Sequence, residues 1–158
     1  MAPALKVNPA INWKDSLLPN APENSVDATQ SPPSTFDRLD VTPYRIGVEI
    51  TAFGLRASWS DGYAGGFGWH SALFLSAIID GQLRQVLSVP VLALTDFAGD
   101  WNSDGSRQHE IKEGANIVIV TQHLTAGYFD VLIRNQITRR SRIFRWNVAD
   151  KRYRSAAQ

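Results

Sequence analysis

The chain has 158 residues, of which 44% are hydrophobic, the size of one ordinary domain that buries roughly two thirds of its unfolded surface. A formal charge of +1 argues against a protein built mainly to bind polyanions, and the lack of cysteine excludes disulfides, thiolate nucleophiles and iron–sulfur sites. The charge is nevertheless uneven: residues 1–133 carry 8 Lys/Arg against 14 Asp/Glu, net −6, whereas residues 134–158 carry 8 Lys/Arg against Asp150 alone, net +7.

Residues 1–35 hold six of the eight prolines, with Asn, Ser and Ala between them. Proline removes backbone donors and turns the preceding residue away from helix, so this segment reads as an irregular arm or tether, with Ile11, Trp13, Leu17 and Leu18 available to lie across a domain formed by residues 36–158. The N-terminus has no apolar run long enough for a signal, and no later stretch reaches the length of a membrane span. The expectation is an exported, periplasmic chain whose signal is not part of this sequence, with a lipid anchor compatible with its precursor.

From Phe36 the pattern becomes that of strands. Ile46, Val48 and Ile50, then Leu55, Ala57 and Trp59 beyond Gly54, alternate with period two, which predicts two strands joined at a kink. SDGYAGGFGWH reads as a loop too rich in glycine for a strand interior. HSALFLSAII is a continuous apolar run followed by Asp80-Gly81, a strong hairpin signal, and LRQVLSVPVLALTDF supplies the returning strand, with Pro90 at an edge or bulge. Three further strands follow in ANIVIVTQH, GYFDVLIRNQI and SRIFRWNV. Short strands punctuated by turns about every ten residues predict an all-β domain, an antiparallel sandwich, barrel or small propeller-like sheet.

Most of the candidate chemistry sits in DFAGDWNSDGSRQHEIKE, residues 96–113. Asp100, Asn102, Asp104 and Gly105 form a D-x-N-x-D-G run in which alternate side-chain oxygens can converge on a hard cation, so the cofactor this run implies is calcium. Position twelve from Asp100 is Ile111 rather than Glu, which excludes the helix–loop–helix calcium hand. Gln108 and Glu110 are the candidates to complete a shell. The other reading is a polar β-turn, since Asn, Asp and Gly favour turns for backbone reasons alone.

Catalysis has no comparable signature. His70, His109 and His123 are not spaced as a metal pair, and neither H-E-x-x-H nor G-x-S-x-G occurs, so no catalytic residue is assigned and the chain reads as a non-enzyme. The aromatic residues among the glycines, Tyr63, Phe67 and Trp69 with His70 beside them, and Trp101 in the polar loop, are candidates for partner contact. The basic C-terminal set from Arg134 to Arg154 lacks nucleic-acid motifs and reads as a solvated face or a contact for an acidic partner; no nucleic acid is expected.

The order of these features, with GDWNSDGSRQHEI followed by FDVLIRNQITRRSRIFRWNVADKRYR, resembles small bacterial periplasmic proteins and lipoproteins that carry a D-x-N-x-D-G turn of the FG-GAP, propeller-like type. Among such proteins are immunity proteins that inhibit peptidoglycan hydrolases. The resemblance implies a cell-envelope protein whose partner is a cell-wall hydrolase or toxin, engaged through exposed loops. The alternative is a calcium-assisted carbohydrate or peptidoglycan-binding module with Trp59, Trp69 or Trp101 as sugar platform.

Overall fold

In the structure, a computed structural model, residues 11–13, 16–18, 32–63 and 65–156 are described, Tyr63 by its backbone alone. Among them the alternating and apolar runs form nine strands and no helix: β1 (Thr35–Leu39), β2 (Tyr44–Arg45), β3 (Thr51–Tyr63), β4 (Gly66–Ile79), β5 (Gln82–Trp101), β6 (Arg107–Thr125), β7 (Tyr128–Asn135), β8 (Ser141–Asn147) and β9 (Arg152–Ser155). All pair antiparallel in one open sheet of order β1-β3-β4-β5-β6-β7-β8-β9, with β2 beside β3. The sheet is a meander that does not close into a barrel. Its long strand β6 pairs with β5 over residues 107–115 and with β7 from Asn116 onward, so the sheet turns back over itself at that point.

The fold-back accounts for the continuous apolar run of β4, which is buried on both faces. Leu73, Leu75, Ala77 and Ile79 enter one core with Val86, Leu87, Val89 and Val91 of β5 and with Val131, Ile133, Trp146 and Tyr153 from the other end of the sheet. Ala72 and Phe74 point the other way, into a second core with Ala57, Trp59 and Ala93. Register shifts at Leu75/Ser76 and Ser71/Ala72 lengthen β5 relative to β4, so that Val86 and Leu87 are both buried and Pro90 sits beside a bulge as expected.

The second core is covered by the N-terminal arm. Ile11, Trp13 and Leu18 are buried there, each worth about 1.5–3 kcal/mol of transfer energy before the cost of ordering the chain. Two asparagines at the bend of β6 and β7 fasten the arm's backbone. The Asn116 amide donates to Ser16 O at 2.6 Å and to Pro90 O at 3.1 Å, and the Asn135 amide donates to Leu17 O at 3.0 Å. Residues 1–10, 14–15 and 19–31 of the arm lie outside the described residues.

Hairpin chemistry matches the residues at Asp80-Gly81, both with positive φ (50° and 72°), the geometry of a two-residue turn that follows strand twist. Four expectations are corrected. Residues 46–50 form a turn, in which Ile46 N and Gly47 N both donate to Ile50 O, rather than a strand. β3 runs unbroken through Gly54, because that glycine serves close approach: a Cβ there would stand 2.8 Å from Leu73 and 3.0 Å from Tyr44. The glycine-rich stretch from Gly66 is strand, since β3 and β5 pair with it on both sides. The strands also do not end with SRIFRWNV, since the basic residues beyond it contribute β9, paired with β8 from Phe144↔Ser155 to Asn147↔Arg152.

Candidate functional site

Two stretches that are far apart in sequence become one object in the fold. The end of the β3–β4 hairpin, where Tyr63 pairs with Gly66, and the β5–β6 tip at residues 101–107 lie side by side, because the pairing of β4 with β5 continues as far as Gly66↔Phe97. The result is a four-stranded finger about 14 Å across its backbones, from three inter-strand spacings. Ala98 N donates to Gly65 O at 2.6 Å across the two tips. Arg107 fastens the same place: its Nε donates to Gly99 O at 3.0 Å, and its guanidinium lies 5.3 Å from the Trp101 ring centroid.

Residues paired directly across strands share a face. Phe67, Asp96 and Ile111 make one row and Trp69, Leu94 and Glu113 the next, on the same face; Gly66, Phe97 and Glu110 make a row on the opposite face. Phe67, Trp69 and Ile111 are exposed on the first face, Phe97 on the second, and Trp101, at 69% exposure, caps the tip. Apolar side chains therefore surround the finger. Its charges are mainly acidic, with Asp61, Asp96, Asp100, Asp104, Glu110 and Glu113 against Arg107 and Lys112. Some are held locally: His109 Nδ1 lies 2.8 Å from Asp96 Oδ1, and Lys112 Nζ lies 2.9 Å from Glu110 Oε1.

The expected contact residues divide. Phe67, Trp69 and Trp101 are presented to solvent as partner-contact residues must be, and the side chain of Tyr63 lies outside the described part. His70 is corrected: it is 5% exposed on the face opposite Trp69, with its ring edge-on to Trp13 at 5.5 Å. The arm buries it, and burial lowers the pKa of its imidazole, with Asp61 pulling weakly upward. Its Nε2 has no hydrogen-bond partner among the described residues. Phe97 and Ile111 are further contact candidates that the sequence does not mark, because an apolar residue in a strand pattern gives no sign of whether its face is covered.

The D-x-N-x-D-G loop closes as a tight hairpin turn. Gly105 N donates to Asn102 O, Asn102 N donates to Ser106 O, and Gly105 takes φ +83°. Its side chains satisfy one another: Asp104 Oδ1 accepts from Ser106 N at 2.9 Å and from Ser106 Oγ at 2.6 Å, which holds its carboxyl below the usual range, while Asn102 Oδ1 accepts from Gln108 at 3.0 Å. Glu110 sits in the row of Phe97 beside Lys112, away from the turn, and Asp100 precedes it. Among the described residues no group of three or more His, Cys, Asp or Glu is gathered as a metal set.

At the base of β1–β3, Asp40 takes a bidentate ion pair from Arg56 (2.8 and 3.1 Å) and a hydrogen bond from Tyr44 OH at 2.6 Å. Burial pushes the Asp40 carboxyl up, but the Arg56 and Tyr44 bonds outweigh it and its pKa falls; burial and Asp40 push the Tyr44 hydroxyl up to about 12. In the basic C-terminal set, Arg145 faces Asp130 at 3.5 Å, Arg154 pairs with Asp150 at 2.7 Å and Lys151 pairs with Asp80, so part of that charge is neutralised within the fold. No protein family matches the chain, and no curated protein or solved structure matches it.

Proposed function

We propose that the chain is a cell-envelope binding protein that inhibits a peptidoglycan hydrolase by seating the β3–β6 finger in the enzyme's cleft. The observation that carries this reading is the finger itself, a narrow sheet with Trp101 at its tip, Phe67, Trp69 and Ile111 on one face and Phe97 on the other. Aromatic side chains that enter a cleft lose little conformational freedom and bury much area, which makes them the usual anchors of protein interfaces. A sheet paired along its length presents them on a rigid support, so little ordering is needed on binding. The hydrolase and the periplasm are supplied by the resemblance of the D-x-N-x-D-G turn and the F-R-W…Y ending.

Titrating the protein into a lytic assay with a co-encoded peptidoglycan hydrolase tests the proposal. Stoichiometric loss of lysis, weakened at least tenfold by Trp101→Ala together with Phe67→Ala, is the expected result. Full lysis at a molar excess of protein, with no complex on a sizing column, would count against it.

A further inference from the structure

A second feature lies where the finger meets the body of the sheet. On the face that carries Trp69, the sheet bends away at Asn116 and leaves an open depression of about 360 Å³. Trp69 forms one wall. Ser71 and Leu92, directly paired, form the floor, and Asp37, Arg38 and Gln136 stand around the rim. The volume falls at the low end of the range of about 300–1,000 Å³ typical of small-ligand sites. Three properties define what fits. The indole, 38% exposed, offers a flat apolar surface. The rim supplies a carboxylate, an amide and a guanidinium, of which Arg38 is largely exposed and only 3.6 Å from Asp40 at its nearest approach. The lining as a whole is too polar for an aliphatic ligand.

We infer that this depression binds a short pyranose oligosaccharide, with one ring stacked on Trp69 and its hydroxyls bonded to Asp37, Arg38 and Gln136. A sugar ring has the matching division, an apolar C–H face and an equatorial belt of donors and acceptors, and a rim that offers both donors and acceptors satisfies such a belt. The depression exists because Ser71 is small: its cross-strand neighbours are Ser58 and Leu92, and the strand on either side of it carries the larger Trp69 and Leu73. Trp59, the other tryptophan of this region, is 4% exposed under the arm and provides no platform. The depression lies at the base of the finger, away from Trp101, and shares Trp69 with the face proposed to meet the enzyme.

The test is a titration of the full chain with N-acetylglucosamine tetramer and, separately, with cellotetraose, followed by tryptophan fluorescence and by calorimetry. Saturable binding of either sugar is expected, weakened at least tenfold by Trp69→Ala and by Ser71→Leu, which fills the floor without removing the platform, and unchanged by Trp101→Ala. Circular dichroism melting of each variant separates loss of the site from loss of the fold. Saturable binding of neither sugar, or binding indifferent to both Trp69→Ala and Ser71→Leu in folded variants, would overturn the inference. Because Trp101→Ala leaves the depression intact, failure of enzyme inhibition and failure of sugar binding remain distinguishable.

Discussion

His70 shows how one side chain ties the arm to the sheet. Its imidazole is covered by Trp13 and its Nε2 has no acceptor among the described residues, so a proton added there would be buried without a partner. A folded-state pKa below the ordinary 6.5 means that the unfolded chain takes up this proton more readily, so the contribution of His70 is complete above pH 6.5 and is lost as pH falls through that value and toward the lowered one. Melting temperature is therefore expected to drop between neutral pH and pH 5, and His70→Phe should flatten that part of the profile; an unchanged slope would show that other groups carry it. Asp40 acts in the same sense at lower pH, since its lowered pKa gives stability that is present above 3.8 and lost below. Trp101 has the opposite character. Exposed and with the Arg107 guanidinium 5.3 Å from its ring centroid, it contributes about 0.5–1 kcal/mol to folding through the cation–π contact, yet as the proposed interface anchor its removal should cost about 2 kcal/mol or more of binding. A Trp101→Ala variant that melts near wild type but binds as tightly would remove it from the interface.

Among the elements, the β5–β6 hairpin carries both the polar turn and the proposed calcium loop. Gly105 at φ +83° is strained by any Cβ, so Gly105→Ala should lower stability by about 1 kcal/mol, read as a shift in the denaturant midpoint. Gly54→Ala should cost more, because its Cβ would meet Leu73, Tyr44 and Asp40 within 3.1 Å. A calcium ion at the turn would share Asn102 Oδ1 with Gln108 and the Asp104 carboxylate with Ser106, since each of these oxygens has more than one lone pair. Melting after EDTA and after calcium addition tests the loop: a calcium-specific rise would show binding by mass action on the native state, and coincident melts would leave it a polar turn. The strands and the Asp80-Gly81 turn were legible because period-two patterning and positive-φ chemistry are local. The finger was not. Residues 63–70 and 96–113 each read as an isolated loop, and only the long register of β4 on β5, which no local pattern reveals, joins them. The same limit applied to His70, whose burial depends on an arm some sixty residues away.

For the whole molecule, the sheet folds back at Asn116 and its body is buried on both faces, one by its own far strands and the other by Ile11, Trp13 and Leu18. Trp13→Ala should destabilise by up to about 3 kcal/mol, the lower end for a buried tryptophan, because the loss cannot exceed the free energy with which the arm docks. The fold also separates the acidic finger from the basic strands β8 and β9, so a proposed partner of either charge would favour one end of the protein. The most direct test of the proposed binding element is amide hydrogen exchange of the protein alone and mixed with a peptidoglycan hydrolase of the proposed kind. Protection confined to residues 62–69 and 97–111, with β8 and β9 unchanged, is the predicted result. Protection on β8 and β9 with the finger exchanging as in the free protein would contradict the finger as the binding element.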